Sequence, residues 1–332
     1  MGQRTSVIFS LLVGVITCLG GCDAGDPDNG MPITFRTDDA CTRWRCGFNA
    51  AEVNGRSLQE LNLQGLPNAD GVKIFSFTPP LLSLLGGPYT LGVENDELVA
   101  TRPGSKLKRQ QLVGSVIVVK DELGLPIPIT IAGIEMVDSW ATGGAPIVAY
   151  TLLAPDLGSL LGVKNVCSGS LLDPLLAAAT VLGGETYDGE TKTVNADMSG
   201  WITLACAGSA AAKVKLLGYG PQTKQPGAST PASVAARQAT LKMITADYCG
   251  LGESYTANGT ALVWANHNGT VDSSNLHPPD AVEAVWTADG ALCLDATRIA
   301  DIDVDCADEL PSCDGLDVSD GEWITHTVAA AP

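Results

Sequence analysis

The start of the chain sets the chemistry in which everything after it must fold. One cation, Arg4, precedes an apolar run over residues 7–16, and small residues then lead to Cys22. That order of charged, apolar and small segments reads as a secretory signal. The rest of the chain is therefore expected to mature in an oxidising compartment, where disulfides rather than free thiols constrain a fold.

Leu19-Gly20-Gly21-Cys22 resembles a bacterial lipobox. The resemblance implies cleavage after a signal peptide of residues 1–21 and acylation of the Cys22 thiol. The apolar run is shorter than the roughly 18 residues a spanning helix needs. Later apolar stretches are interrupted, residues 145–163 by Pro146, Pro155 and Asp156, and residues 171–183 by Asp173 and Pro174. The expected membrane contact is the N-terminal lipid alone. It places the protein in the cell envelope, on the outer or inner membrane, periplasmic or surface facing. Asp23 beside Cys22 resembles an inner-membrane retention signal of some bacteria.

Of ten cysteines, Cys18 would leave with the signal and Cys22 would carry lipid, so Cys41, Cys46, Cys167, Cys206, Cys249, Cys293, Cys306 and Cys313 remain as disulfide candidates. An even set in an exported chain reads most simply as disulfides. Short loops close at low entropic cost, which favours Cys41 with Cys46 and Cys306 with Cys313. Cys167 with Cys206 and Cys249 with Cys293 then follow by elimination. Structural zinc is disfavoured, because the close pairs are C-x4-C and C-x6-C rather than C-x2-C. His267, His277 and His326 form no paired-ligand motif, and no metal site or cofactor is expected.

The chain is 45% hydrophobic but 5% aromatic, so its core must be filled by Leu, Val, Ile and Ala. At roughly 150 residues per domain its length suits two domains or one large β-rich one. A formal net charge of −18 repels nucleic acid, which is excluded as a partner, and anionic lipid headgroups, and the cluster Lys106, Lys108, Arg109 reads as a solvated loop.

Residues 22–40, rich in Asp, Gly and Pro, read as a flexible tether. Residues 41–165 form a β-rich N-terminal region. Its short apolar pattern at Val53, Leu58, Leu61 and Leu63 sits beside tight-turn glycines. The β-branched runs at 116–119, 127–137 and 147–151 are separated by Gly and Pro, as in an antiparallel unit. Residues 166–300 change character. A strand at 201–204 is followed by an Ala-rich helix over 208–217 with Gly218 past its end. Thr230 and Pro231 predict the start of a second helix, with Val234, Leu241, Ile244 and Tyr248 on one stripe and Gly250 at its end. Hairpins are expected at 254–263, turning at Asn258-Gly259, and at 282–294, turning at Asp289-Gly290. Residues 301–332 read as an acidic C-terminal tail. The fold class is thus β-rich α+β: an antiparallel β unit, then a disulfide-stapled domain with two helices and β-hairpins.

Thr245-Ala246-Asp247-Tyr248-Cys249-Gly250 is similar to the signature of the ADYC domain, a family of bacterial envelope proteins of unknown function. Ordered blocks support the likeness: Trp201-Ile202-Thr203-Leu204-Ala205-Cys206, Gly218-Tyr219-Gly220-Pro221, Arg237-Gln238-Ala239-Thr240, Val285-Trp286 and Asp289-Gly290-Ala291-Leu292-Cys293. The likeness spans roughly residues 165–300, with a weaker one near 41–65, and departs at Val214, where the family pattern has a cysteine. It implies an envelope protein and no particular activity.

In the signature, Ala246, Asp247, Tyr248 and Cys249 fall at the expected helix end. The negative dipole end disfavours a thiolate at Cys249, so a structural disulfide is its expected role. Asp247 is electrostatically misplaced there unless a cation or a backbone donor compensates it.

Catalytic motifs are incomplete. A cysteine hydrolase would use Cys206, at a strand-to-helix junction, with His267 or His277 as base, but the even thiol count gives Cys206 a partner. No G-x-S-x-G occurs, Ser209 to Lys213 is one residue too long for S-x-x-K, and the paired glycines lack the third of G-x-G-x-x-G. Asp301, Asp303 and Asp305 alternate as calcium-loop ligands do, but Cys306 and Ser312 occupy the glycine and glutamate positions. The expectation is a lipid-anchored envelope protein in a non-enzymatic binding or structural role, contacting the membrane through its lipid and an envelope protein or glycan through its body. A Cys206 hydrolase and a calcium-binding acidic loop are the alternatives.

Overall fold

The computed structural model describes residues 50–80, 87–156, 158, 159, 161–167, 177–257, 259–274 and 279–328. The signal, the tether, Cys22, Cys41, Cys46 and His277 lie outside the described residues. No helix among those described is long and apolar enough to cross a membrane.

The described chain opens with a small hairpin of β1 (Glu52–Val53) and β2 (Arg56–Ser57), then β3 (Glu60–Asn62) and β4 (Lys73–Thr78). A three-stranded meander follows: β5 (Thr90–Glu94), β6 (Glu97–Arg102) and β7 (Ser105–Lys108). Next come β8 (Val116–Lys120), β9 (Pro126–Val137), β10 (Ile147–Pro155), β11 (Val163–Asn165), β12 (Ala179–Gly183), β13 (Thr186–Asp188), β14 (Thr193–Asn195) and β15 (Trp201–Cys206). Helices α1 (Ala210–Leu216) and α2 (Val234–Thr245) precede β16 (Val263–Asn266), β17 (Pro279–Thr287), β18 (Gly290–Leu294) and β19 (Trp323–Val328). The architecture is β-rich α+β, as the sequence indicates.

The main sheet is antiparallel, in the order β3-β15-β12-β10-β9-β8-β4 with β11 beside β10. Because strand side chains alternate between faces, one run of residues serves two cores. On β10, Val148, Tyr150, Leu152 and Ala154 enter one cluster with Ile117, Ile129 and Ile131. Ile147 and Ala149 of the same strand enter the other, with Leu216, Leu241, Tyr248 and Trp286. Strands covered on both sides read as unbroken apolar runs, which is why β12 and β15 lack clean alternation. The sheet runs across residue 165, where the sequence suggested a boundary, since β10 pairs with β12 and β12 with β15.

Several local expectations need correction. The second helix starts at Val234, not at Thr230, and Ser233 caps it by accepting from Ala236 N at 3.1 Å. Pro231 is held extended by a bridge to Lys224, so the helix cannot begin there. It also ends earlier: Ala246 adopts the left-handed conformation, φ 52° and ψ 41°, which throws the signature residues into the following turn. Val234 is exposed rather than part of the buried stripe. The hairpin expected over 254–263 is absent among the described residues. Residue 258 is not described, and the strand starts only at Val263. The hairpin at Asp289-Gly290 is present as β17–β18. Residues 301–328 are not a free tail, for β19 lies between β16 and β17 in a four-stranded sheet.

Candidate functional site

The signature turn is pinned from four sides. Ala246 is fully buried, and its N–H closes the helix by bonding back to Met243 O. Asp247 is fully buried next. Its Oδ2 accepts from Lys242 Nζ at 2.5 Å and from Gly252 N at 2.9 Å, the cation and the backbone donor that its place at a helix end requires. Lys242 also donates to Gly250 O at 3.0 Å and Thr191 O at 3.1 Å, so its ammonium fills a cage of oxygens. Asp247 Oδ1 is buried without a partner among the described residues.

Tyr248 reaches the other way. Its hydroxyl donates to Glu283 Oε1 at 2.5 Å and accepts from Arg298 N at 3.2 Å. Burial, then the Glu283 charge, pushes this phenol well above its ordinary value of 10.0, so it remains a proton donor. Arg298 Nε donates to the same carboxylate oxygen at 2.7 Å, and its Nη2 to Met243 O at 2.9 Å. One guanidinium thereby neutralises a buried glutamate and donates to carbonyls in the last turn of α2. The ring of Tyr248 stacks on Trp286, centroids 5.2 Å apart.

Cys249 completes the turn through a disulfide to Cys306. Cys293 pairs with Cys313. Both differ from the expected pairs Cys249–Cys293 and Cys306–Cys313. The cause is tertiary: Leu294 N bonds Pro311 O and Cys313 N bonds Asp295 Oδ1, which lays residues 311–313 along β18 and carries Cys313 to Cys293. Cys167 pairs with Cys206, as anticipated. Cys206 therefore carries no free thiol, and His267 sits exposed with Nδ1 3.4 Å from Val318 O. Asp301, Asp303 and Asp305 are exposed, and among the described residues no three His, Cys, Asp or Glu side chains gather as a metal site.

Sequence reasoning missed three buried networks. Arg237 pairs with Glu185 at 2.7 Å, and the Tyr187 hydroxyl donates to the same carboxylate. Lys215, pushed down to about 8 by burial, donates to Asp96 O, Thr180 Oγ1 and Val181 O. Glu283 with Arg298 is the third. A lone carboxylate between Val282 and Ala284 in an apolar strand was a signal for a buried pair; nothing local pointed to Arg298 as its partner.

Three of the blocks that carry the family likeness meet here, with Tyr248 stacked on Trp286 and Tyr248 O accepting from Ala291 N at 2.9 Å. No curated protein and no solved structure matches the chain. The model of the ADYC domain matches residues 109–300, taking in the sheet from β8 onward as well as the signature turn, and so starts well before residue 165, where the likeness in sequence begins. With that match over more than half its length, the chain belongs to the ADYC domain family.

Proposed function

We propose that the chain is a lipid-anchored cell-envelope protein, held to the membrane at Cys22, whose body has a binding or structural role rather than a catalytic one. The observation that carries the second half is how the reactive side chains are used. Tyr248 and Cys249 are consumed by contacts inside the fold, Asp247 is buried with Oδ2 on Lys242, and Cys206 is tied to Cys167. The body then offers its surface, not a nucleophile, to an envelope protein or a glycan.

Two measurements test this. In the Cys22→Ser protein, unfolded without reductant, Cys167, Cys206, Cys249, Cys293, Cys306 and Cys313 should resist alkylation. Hydrolysis of an ester, peptide or glycan substrate that disappears in Cys206→Ala would overturn the reading. Anchoring is tested separately, since Cys22→Ala should abolish acyl labelling and block signal cleavage.

A further inference from the structure

Antiparallel ladders decide which loops share an end of the sheet. Lys120 pairs with both Pro126 and Lys73, so the β8–β9 turn lies where β4 begins. Leu153 pairs with Thr130, and Pro155 with Val163, which puts the β10–β11 loop at that same end. With β9 and β10 adjacent, the two hairpin tips stand about 10 Å apart.

Each tip exposes leucine beside acidic residues, Asp121 and Glu122 in one and Asp156 in the other. Leu123 is 80% exposed, Leu125 57% and Leu161 59%. The turns that present them are fixed internally. Asp121 Oδ1 accepts from Leu125 N at 3.0 Å, and Gly124 takes φ +75°. Asp156 Oδ1 accepts from Gly158 N at 2.9 Å, and Asp156 N bonds Gly162 O at 3.0 Å. Behind the tips, the exposed ring of Phe75 lies under Lys120 Nζ, 3.4 Å from its centre.

The N-terminal hairpin touches this end, for Arg56 of β2 pairs with Glu122 in the β8–β9 turn at 3.1 Å.

We propose that the body is seated on the bilayer by these two hairpin tips, with Leu123, Leu125 and Leu161 entering the lipid. The proposal rests on the anchored reading above. Clustered exposed leucines mark an interaction surface, and burying them in acyl chains removes their apolar area from water. The lipid at Cys22 supplies proximity, and the tips fix orientation.

The test uses the full acylated chain in vesicles of the zwitterionic lipids phosphatidylethanolamine and phosphatidylcholine, with hydrogen exchange read at residues 121–125, 158, 159, 161 and 162. Exchange there should slow relative to the Cys22→Ser protein without vesicles. Flotation of the Cys22→Ser protein with the same vesicles should show weak partition, falling roughly five- to tenfold for each of Leu123→Ser, Leu125→Ser and Leu161→Ser. Unchanged melting of these variants would keep the comparison clean, and a variant that melts early is replaced by the Ala substitution. Acylated protein that floats while both loops exchange as fast as in free protein overturns the seating and leaves the anchor standing. Failure of Cys22 to acylate overturns the anchor, and the Cys22→Ser partition still decides the tips. Slowed exchange that rises with protein concentration in the absence of vesicles would assign the tips to self-association and overturn the proposal.

Discussion

Gly250 and Gly290 meet backbone to backbone across the signature turn. A Cβ on Gly250 would lie 1.8 Å from Asp289 O, and one on Gly290 would lie 2.7 Å from Tyr248 O. Gly250 also holds φ +71°, a conformation that costs an L-residue roughly 1–2 kcal/mol. Gly55, between β1 and β2, has the same φ of +71° with nothing within 4 Å of its Cβ position. Gly55→Ala is therefore expected to lose about 1–2 kcal/mol, and Gly250→Ala about 3 kcal/mol or more, because backbone must shift as well. Chemical denaturation of both variants checks this, and equal losses would show that the close approach is unimportant.

The disulfide at the signature closes a separation of 57 residues, which corresponds to about 4 kcal/mol in the chain-entropy model. Cys249→Ser and Cys306→Ser should each lower stability by about that much, and the double variant should cost little more than either. Cys249→Ser with Cys293→Ser should instead be near additive, because each breaks a different bridge. Melting curves of these variants and of Cys293→Ser alone decide between this pairing and the one that sequence proximity favours.

The error in that pairing shows what a sequence carries. Loop-closure entropy ranks partners by separation alone, and it suits Cys306 and Cys313 only until β18 comes between them as a template. Features governed by neighbours along the chain were legible: the Ala-rich helix closed by Gly218, the turn at Asp289-Gly290, and the β-branched strands. The helix start at Ser233 was hidden because a bridge from Lys224 overrides the preference of Pro231 for a first turn. At the candidate site, the misplaced charge of Asp247 was legible as a need, and Lys242, five residues earlier, answers it. Arg298 was not legible, since its role follows from folding the segment after β18 back over the end of α2.

Arg298 and Tyr248 act on one carboxylate, and that sets their energetics. Glu283 is fully buried, so Arg298→Met leaves a charge without its cation and should cost about 3–5 kcal/mol. Tyr248→Phe removes one donor from the same group and should cost about 1–3 kcal/mol. The double variant should lose less than the two added together, since each effect passes through Glu283. Strict additivity in a denaturation cycle would refute the shared network. Arg298→Lys should recover only part of the loss, because an ammonium cannot also hold the carbonyls of Met243 and Ile244.

A pH dependence follows from Glu322. Burial pushes its carboxyl up from 4.5, against the hydrogen bond that the Tyr219 hydroxyl donates to it. Burial likewise raises Glu60 and Glu185. A carboxyl with a raised folded value binds its proton more tightly folded than unfolded. Its contribution is therefore complete below 4.5 and is lost as pH rises through the folded value. The urea midpoint should fall from mildly acidic toward neutral pH. His326, whose ring burial pushes down from 6.5, acts in the opposite sense below that value, so a variant must isolate the glutamate. Glu322→Gln is neutral at every pH and still offers an oxygen to Tyr219. It should match the wild type near pH 4.5, exceed it at neutral pH, and show a shallower slope between. Parallel curves for the two proteins would remove Glu322 as a source of the dependence.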